Sequence, residues 1–317
     1  MATNSTAQNG SIGSIPAQRK VNEQVLLVQV LVGIFLYINS IMIFTFCKKE
    51  AFRTNSRYIL FAHILICDCI FLVISDLLLL LSYFRILMPV GLCLLICAVV
   101  LIVQLCTPLT LTMMSLERYV AICLPLRHAE ISTPSRAFLC IIVIHALRCI
   151  QVIISFSAFM ATVPLSFYST DRVCTVEIII ILEWQGYLRS AISQLYFLVM
   201  SSIIMFTYVK IMAVAKVASA DNKKSASKGL KTVLLHAIQL FLCLIQLWCP
   251  FIEMAVMAID LSLFINLRYA DYIIFILAPR CLIPLVYGLR DDKFVSVMKY
   301  YSLFGLSKKI SPVVAEQ

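Results

Sequence analysis

The chain has 317 residues, of which 62% are hydrophobic and only 13% are charged. A soluble domain usually carries about a quarter charged residues, so this composition excludes a water-soluble globular protein and implies lipid as a partner. The net charge of +10 does not indicate a nucleic-acid partner, because no basic segment alternates with aromatic residues in a soluble domain. The basic residues instead flank apolar runs, as they do in proteins that cross a membrane.

The N-terminal segment, residues 1–22, is predicted to be polar and extracellular. It lacks the apolar stretch of a cleavable signal peptide, so we expect the first apolar segment to direct membrane insertion. Asn4 and Asn9 each begin an Asn-X-Ser/Thr sequence and are the candidate glycosylation sites. Two such sequences in one short segment favour a luminal, and then extracellular, N-terminus.

Seven apolar segments follow, each near the roughly 20 residues that a membrane-spanning helix needs. Backbone groups in lipid must be hydrogen-bonded within the protein, and the two-residue alternation of barrel strands is absent. The predicted fold class is therefore an all-α membrane protein, a seven-transmembrane helix bundle in one domain over residues 23–289. The predicted spans are 23–47, 57–83, 91–117, 137–163, 190–215, 231–258 and 270–289.

The distribution of basic residues predicts the orientation of the spans. Of the 26 lysines and arginines, most flank one set of loops and few flank the other. Loops rich in lysine and arginine remain in the cytoplasm, which places the N-terminus outside and the C-terminus inside. Residues 290–317 then form a cytoplasmic segment, in which apolar residues at helical spacing predict a short amphipathic helix along the inner leaflet, followed by a tail.

Charged residues interrupt the apolar segments at a few positions. Asp68 and Asp76 lie in the second segment, Arg148 in the fourth and Arg280 in the seventh. A charge inside a bilayer is costly, so each needs a partner or a function. Breaking a buried pair from one side leaves a lone charge, and we hypothesise that Asp68 and Arg280 form such a pair.

A charged triplet, Glu117, Arg118 and Tyr119, ends the long uncharged run that begins after Arg85. A lone arginine at a helix end usually extends to the lipid headgroups, and this structural explanation remains open from the triplet alone. The acid beside Arg118 also offers an ion pair that a conformational change can break.

The sequence around this triplet, "MSLERYVAICLPLRHAEIST", resembles the third-helix motif of odorant receptors, within the rhodopsin-like G protein-coupled receptors. Other matches follow the family's order along nearly the whole chain: Asn39 in "GIFLYINSIMI", Asp68 in "LICDCIFL", Tyr208 in "TYVKI", then "KGLKTVLLHAIQL" and "PRCLIPLVYGLRDDKF". The variants look most like the fish-type odorant receptors.

This resemblance implies a receptor that binds a small odorant within the helix bundle and activates a heterotrimeric G protein of the stimulatory, olfactory type. Outward movement of the sixth span would expose Arg118 to the G protein, with apolar residues after Tyr119 and lysines between positions 223 and 231 completing the contact. "LWCPF" puts a proline kink in the sixth span, above which a tryptophan can rotate or simply pack. The residues assigned to coupling and activation are Glu117, Arg118, Tyr119, Tyr208, Trp248, Pro250, Pro284 and Tyr287.

Cys93 and Cys174 are the candidates for a disulfide. Cys93 begins the third segment, and Cys174 is the one cysteine in the predicted extracellular loop 164–189. Both face the oxidising side of the membrane, and the family also pairs these positions.

The ligand site is inferred from helix phase, by counting whole turns back from Arg118 and adding residues of neighbouring spans. Such a lining is apolar with few polar groups, which suits a small organic molecule, although ordinary packing is an equal alternative for each residue. Glu253 is an alternative polar contact. The candidates are Val100, Leu101, Gln104, Leu105, Ile192, Tyr196, Phe251, Ile252, Ala255 and Ile273.

Some positions depart from the receptor pattern: Ile283 replaces the asparagine usual before the seventh-span proline, and the sixth span begins without an acid near Leu230. No enzyme motif is present, and the four histidines are scattered along the chain, so we predict no catalytic residue, cofactor or metal site. The competing classes are a non-olfactory rhodopsin-like receptor and a multi-span transporter. The transporter is disfavoured because the eight glycines form no paired helix breaks.

Overall fold

The computed structural model of the chain describes residues 22–218, 238, 241–245, 248–257 and 259–283, which are mostly helical. The helices are α1 (Glu23–Lys48), α2 (Glu50–Arg53), α3 (Ser56–Tyr83), α4 (Val90–Gln104), α5 (Cys106–Cys123), α6 (Pro125–Ile131), α7 (Pro134–Met160), α8 (Glu183–Ala218), α9 (Cys249–Met257), α10 (Leu261–Asp271) and α11 (Ala278–Ile283). A π-helical segment, Tyr272–Leu277, joins α10 to α11, and 3₁₀ turns cover Leu165–Ser169 and Val176–Ile179. Strands β1 (Leu87–Pro89) and β2 (Asp171–Val173) pair antiparallel.

Within these described residues, five helical stretches are long and apolar enough to cross a membrane. They correspond to the first five predicted spans, with α4 and α5 together forming the third. The sixth span is described only in part, through α9 and residues 238 and 241–245, and the seventh through α10, the π-helical segment and α11. The predicted amphipathic helix within 290–317, the candidate glycosylation sites Asn4 and Asn9, and the activation residues Pro284 and Tyr287 lie outside the described residues.

The outward faces of these helices are apolar. Leu95, Ile142 and Leu198 are 68%, 64% and 63% exposed, although each lies within a helix of a predicted span. In water, so many exposed large hydrophobic side chains would drive aggregation, whereas in a bilayer they face acyl chains. The surface of the molecule therefore matches the lipid environment that the composition predicts.

Two helices begin earlier than hydropathy predicts, because polar caps extend them beyond the apolar segment. The fourth span begins at Pro134 rather than 137, since the Thr133 side chain accepts a hydrogen bond from the backbone N–H of Arg136. The fifth begins at Glu183 rather than 190, and the Gln185 side chain accepts from the backbone N–H groups of Ile181 and Leu182 just before it.

The third span is broken at Leu105, between α4 and α5. The backbone N–H of Leu105 bonds to Val103, so the carbonyl of Leu101 loses its usual helical donor. Pro108 has no N–H to give to the carbonyl of Gln104. The break therefore leaves backbone acceptors without helical donors in a region where lipid offers no replacement.

Two buried arginines supply the missing donors from opposite sides of the third span. Arg148 of α7, 2% exposed, donates to the carbonyls of Leu101 and Ile102. Arg280 of α11, 3% exposed, donates to the carbonyl of Gln104 over 3.3 Å. Each guanidinium therefore stabilises the break as a hydrogen-bond donor in addition to carrying a charge.

The second span, α3, lies at the centre of the described packing and contacts α1, α4, α5 and α7. One apolar cluster gathers around Ile64 and Leu65 of its first half together with Met114, and another surrounds Phe71 of its second half together with Cys97 and Phe159. Asp76, a charge that interrupts this span, accepts a hydrogen bond of 2.5 Å from the side-chain amide of Gln29 in α1. The polar groups of α3 thus point toward neighbouring helices.

Replacing Arg148 with alanine is expected to destabilise the bundle by about 3 kcal/mol, because buried carbonyls at the helix break lose charged donors. The measurement is thermal unfolding of the protein purified in detergent. Arg136→Ala is the matched control, since Arg136 is an exposed arginine in the first turn of the same helix. Equal unfolding temperatures for the two variants would show that Arg148 does not stabilise the break.

Candidate functional site

The charges of Asp68 and Arg280, suggested as a pair by the sequence, lie in contact in the core of the bundle. The Arg280 Nε atom is 2.9 Å from the Asp68 Oδ1 atom, and their side chains are 3% and 1% exposed. The hydroxyl of Thr107 donates to the same carboxylate oxygen over 2.6 Å. The Arg280 guanidinium also stands over the ring of Phe71, 3.7 Å from its centroid.

This arrangement connects three spans through one charged group. Arg280 of the seventh span contacts Asp68 of the second, and it donates to Gln104 at the break in the third. The guanidinium supplies the cation beside Asp68. Further hydrogen bonds favour a buried ion pair, and Thr107 and Gln104 provide two of them, whereas the Asp68 Oδ2 and Arg280 Nη1 atoms are buried without a hydrogen-bond partner among the described residues.

Near the C-terminal end of the third span, the triplet residues make separate contacts. Arg118 is buried on the inner face of α5, with 8% of its surface exposed. The Glu117 carboxylate lies 3.2 Å from the Nε2 atom of His128 in α6. The ring of Tyr119 packs against Phe206 of α8, with 5.4 Å between the ring centroids.

The sequence did not suggest His128 as a partner for Glu117. The two residues are 11 positions apart, and the turn of the chain at Leu124 and Pro125 brings them together. The sequence shows His128 after the "CLPL" segment, but it does not show the turn that brings this residue back toward α5. Tyr208, the other described tyrosine assigned to activation, is half-buried in α8.

Trp248 lies just before α9, and its ring packs between aromatic neighbours. Its centroid is 6.0 Å from that of Phe197 in α8 and 6.0 Å from that of Phe251. The side chain is 46% exposed. Pro250 is the second residue of α9, where a helix tolerates proline because the first N–H groups have no helical acceptor. Aromatic packing therefore accounts for the described position of Trp248, and rotation stays a prediction.

The structure places the ten ligand-binding candidates in several packing environments. Val100 packs with Phe71 in the cluster around Phe71, Cys97 and Phe159, whereas Leu105 packs with Met200 and Leu244 between the fifth and sixth spans. Ile273 packs against residues of α1 and α3. Ile252 and Ala255 are exposed, and Leu101, Gln104, Ile192, Tyr196 and Phe251 are half-buried. The irregular turn at Leu105 lies between most of the third-span candidates and Arg118, from which they were counted.

A cavity of about 40 Å³ lies between α4, α7, α8 and the loop after β2, and Leu101 is the candidate that lines it. Its polar lining includes Arg148 and Gln151 of α7 and Gln185 and Arg189 of α8. The apolar ligand lining inferred from helix phase did not include these polar residues. Arg148 was visible as an intramembrane charge, but periodicity alone could not show which neighbour it faced.

A disulfide and an ion pair connect segments at the end of the bundle that carries β1 and β2. Pairing of β1 with β2 brings Cys174 next to the first turn of α4, where it is bonded to Cys93. Glu177 lies 2.7 Å from Arg268 of α10. The loop after the fourth span is thereby tied to both the third and the seventh spans.

A double-mutant cycle tests the Asp68–Arg280 pair. Arg280→Gln alone leaves a buried, uncompensated carboxylate and is expected to cost about 3–5 kcal/mol, whereas Asp68→Asn with Arg280→Gln should recover part of this loss. Surface display of the tagged protein and its unfolding temperature are the measurements.

The control for this cycle is Arg268→Gln, which breaks an ion pair whose side chains are 48% and 52% exposed. Exposed pairs contribute about 0–1 kcal/mol, so this variant should stay near wild type. If the single and double changes at Asp68 and Arg280 lower surface display and unfolding temperature equally, the two residues are not energetically coupled.

Comparison with known proteins identifies the family. A family model described as "7 transmembrane receptor (rhodopsin family)" matches residues 38–287. Odorant receptor 131-2 of Danio rerio is 43% identical over 303 residues, which cover 96% of this chain and 93% of the relative. The resemblance drawn from the third- and seventh-span motifs is thereby confirmed, together with the multi-pass membrane architecture that the family has. The chain belongs to the rhodopsin family of seven-transmembrane receptors and, within it, to the odorant receptors.

Proposed function

We propose that this receptor binds a small odorant in the extracellular half of its helix bundle and activates a heterotrimeric G protein of the stimulatory, olfactory type. Its N-terminus lies outside the plasma membrane, and outward movement of the sixth span opens the cytoplasmic end. The observation that carries the proposal is the placement of Arg118, buried at the cytoplasmic end of α5 within the motif typical of the family.

The cytoplasmic end of the third span supports a docking surface beside Arg118. Ile122, Leu124 and Leu126 follow it, and they are 39%, 38% and 98% exposed. This segment turns away from α5 at Leu124 and continues as the short helix α6, so its apolar side chains extend beyond the span. A helix of a G protein can cover them while the planar donors of Arg118 meet its backbone carbonyls.

The contact between Glu117 and His128 connects two helices beside Arg118. It joins α5 to α6 and so fixes the segment that carries Leu124 and Leu126. In the proposed mechanism, opening of the sixth span exposes Arg118, and the apolar segment then serves as a pre-formed edge of the docking site. Lysines between positions 223 and 231 remain the predicted electrostatic complement to an acidic partner.

The small volume of the cavity bears on how an odorant enters. Ligand pockets commonly enclose about 300–1,000 Å³, far more than the cavity of about 40 Å³ beside Leu101. An odorant that binds in this cavity would need the surrounding helices α4, α7 and α8 to separate from their described arrangement. Such a separation connects ligand entry to helix movement, and the ten candidates from helix phase remain the predicted contacts.

Cells that express the receptor with an olfactory-type stimulatory G protein should accumulate cyclic AMP when an active member of an odorant panel is added. Arg118→Ala should reduce that ligand-dependent signal at least tenfold, because the variant lacks the guanidinium donors that are proposed to contact the G protein. Cyclic AMP is measured at matched surface expression, which is checked with an extracellular tag.

Arg127→Ala is the control, since Arg127 is an exposed arginine on α6, nine residues further along the chain. It should keep the signal close to wild type. Full signalling by the Arg118 variant would contradict the proposed coupling, and substrate uptake without nucleotide exchange on a G protein would favour a transporter instead.

A further inference from the structure

Two histidines and two cysteines from three spans meet in the interior of the bundle. His63 and Cys67 lie one turn apart on α3, so they share a face, and His145 approaches them from α7. The two Nε2 atoms are 2.9 Å apart, and the Cys67 Sγ atom is 3.4 Å from the Nε2 atom of His63. The metal-binding atoms of these three residues lie within 4.8 Å of one another.

A fourth donor stands next to this group. The Sγ atom of Cys106 in α5 is 3.9 Å from the Nδ1 atom of His145, the ring nitrogen that does not contact His63, and its thiol donates to the carbonyl of Ile102 over 3.2 Å. Binding of a metal ion therefore requires the Cys106 side chain to turn from Ile102 toward the Nε2 atom of His145. Cys67 and Cys106 are both buried and are not disulfide-bonded. We propose that His63, Cys67, Cys106 and His145 form a binding site for Zn²⁺ that joins the second, third and fourth spans.

The hydrogen bonds around His63 leave its Nε2 lone pair directed at the site. The Thr110 hydroxyl has one proton, and it donates that proton to the carbonyl of Cys106 over 2.7 Å. The same hydroxyl oxygen must therefore accept a hydrogen bond from the His63 Nδ1 atom, which lies 3.0 Å from it. The Nδ1 atom then carries the ring proton, and Nε2 is the free ligand atom. Metal-bound histidines are usually oriented by such a bond from the other ring nitrogen.

The proton balance of binding follows from the same contacts. Without metal, the His145 Nε2–H donates to the His63 lone pair across their short separation. With Zn²⁺ bound, both Nε2 atoms are ligands, the His145 proton resides on Nδ1, and the two thiols lose their protons to solvent. Two thiolates and two neutral imidazoles around Zn²⁺ give a complex of zero net charge, which is the least costly form in a low-dielectric interior.

The donor set and its spacing both select zinc. Two cysteines and two histidines make a closed tetrahedral site, with about 2.3 Å to sulfur and about 2.0–2.1 Å to nitrogen. Such bonds place neighbouring nitrogen and sulfur atoms about 3.5 Å apart, close to the observed 3.4 Å. The histidine nitrogens need to separate by only a few tenths of an ångström. Soft thiolate ligands disfavour Mg²⁺ and Ca²⁺.

The first experiment uses the full-length receptor, purified in detergent, treated with a chelator, supplied with Zn²⁺ and passed through gel filtration. One zinc per chain should remain by mass spectrometry, and X-ray absorption at the zinc edge should show two sulfur and two nitrogen neighbours. The unfolding temperature should rise and stop rising at one equivalent of zinc, and Mg²⁺ should not change it. A first shell of oxygen and nitrogen alone, or no retained zinc, overturns the proposal.

The variants Cys67→Ser and His145→Gln should each lower zinc affinity at least tenfold. Matched controls are Cys149→Ser, a free cysteine on the same helix as His145, and His128→Gln, a histidine of the cytoplasmic helix α6. The controls should retain one zinc per chain. Equal zinc retention by the cluster variants and the controls overturns the proposal. The absorption measurement on the unaltered receptor decides the matter if a cluster variant fails to fold.

Discussion

A broken helix inside a bilayer must find hydrogen-bond donors within the protein, and that requirement organises the described part of this receptor. Pro108 and the irregular turn at Leu105 free carbonyls of the third span, and Arg148 and Arg280 bond to them from the fourth and seventh spans. Each arginine brings a charge into the membrane together with its donors. The charge of Arg280 is balanced by Asp68, which fixes the second span as well.

The same break divides the third span into two parts. The part before the break, α4, carries the disulfide and packs into the cluster around Phe71, Cys97 and Phe159, near which ligand entry is proposed. Below it, α5 carries Arg118 and contacts α8 and α6, where a G protein is proposed to bind. The ion pair of Asp68 and Arg280 lies at the junction. Because Arg280 bonds to the third span at its break, a movement of the seventh span that displaces Arg280 would also affect that break. Such a coupling would connect the proposed ligand end of the bundle with the proposed G protein end.

Composition and local pattern were enough to place the first five spans, because lipid imposes one length and one hydrogen-bonding rule on every helix. The contact of Asp68 with Arg280 followed from the cost of a lone charge, and the bond of Cys93 with Cys174 from their expected side of the membrane together with the resemblance to the family. The ligand-binding residues inferred from helix phase stay a prediction. His63 and His145 are 82 positions apart, so no local spacing rule could bring them together. The helix starts at Pro134 and Glu183 depend on hydrogen bonds that the side chains of Thr133 and Gln185 accept, and a hydropathy scale does not measure such bonds.

The wide turn between Tyr272 and Leu277 has a consequence for how the seventh span can vary. A π-helical turn holds one residue more than an α-helical turn of similar height, so it offsets the rotation of everything that follows. Deleting one residue there would turn α11 by about 100° about its axis. The Arg280 side chain would then point away from Asp68. The length of this short stretch is thus under constraint even where its apolar side chains are interchangeable, and a gain or loss of one residue would matter more than most replacements.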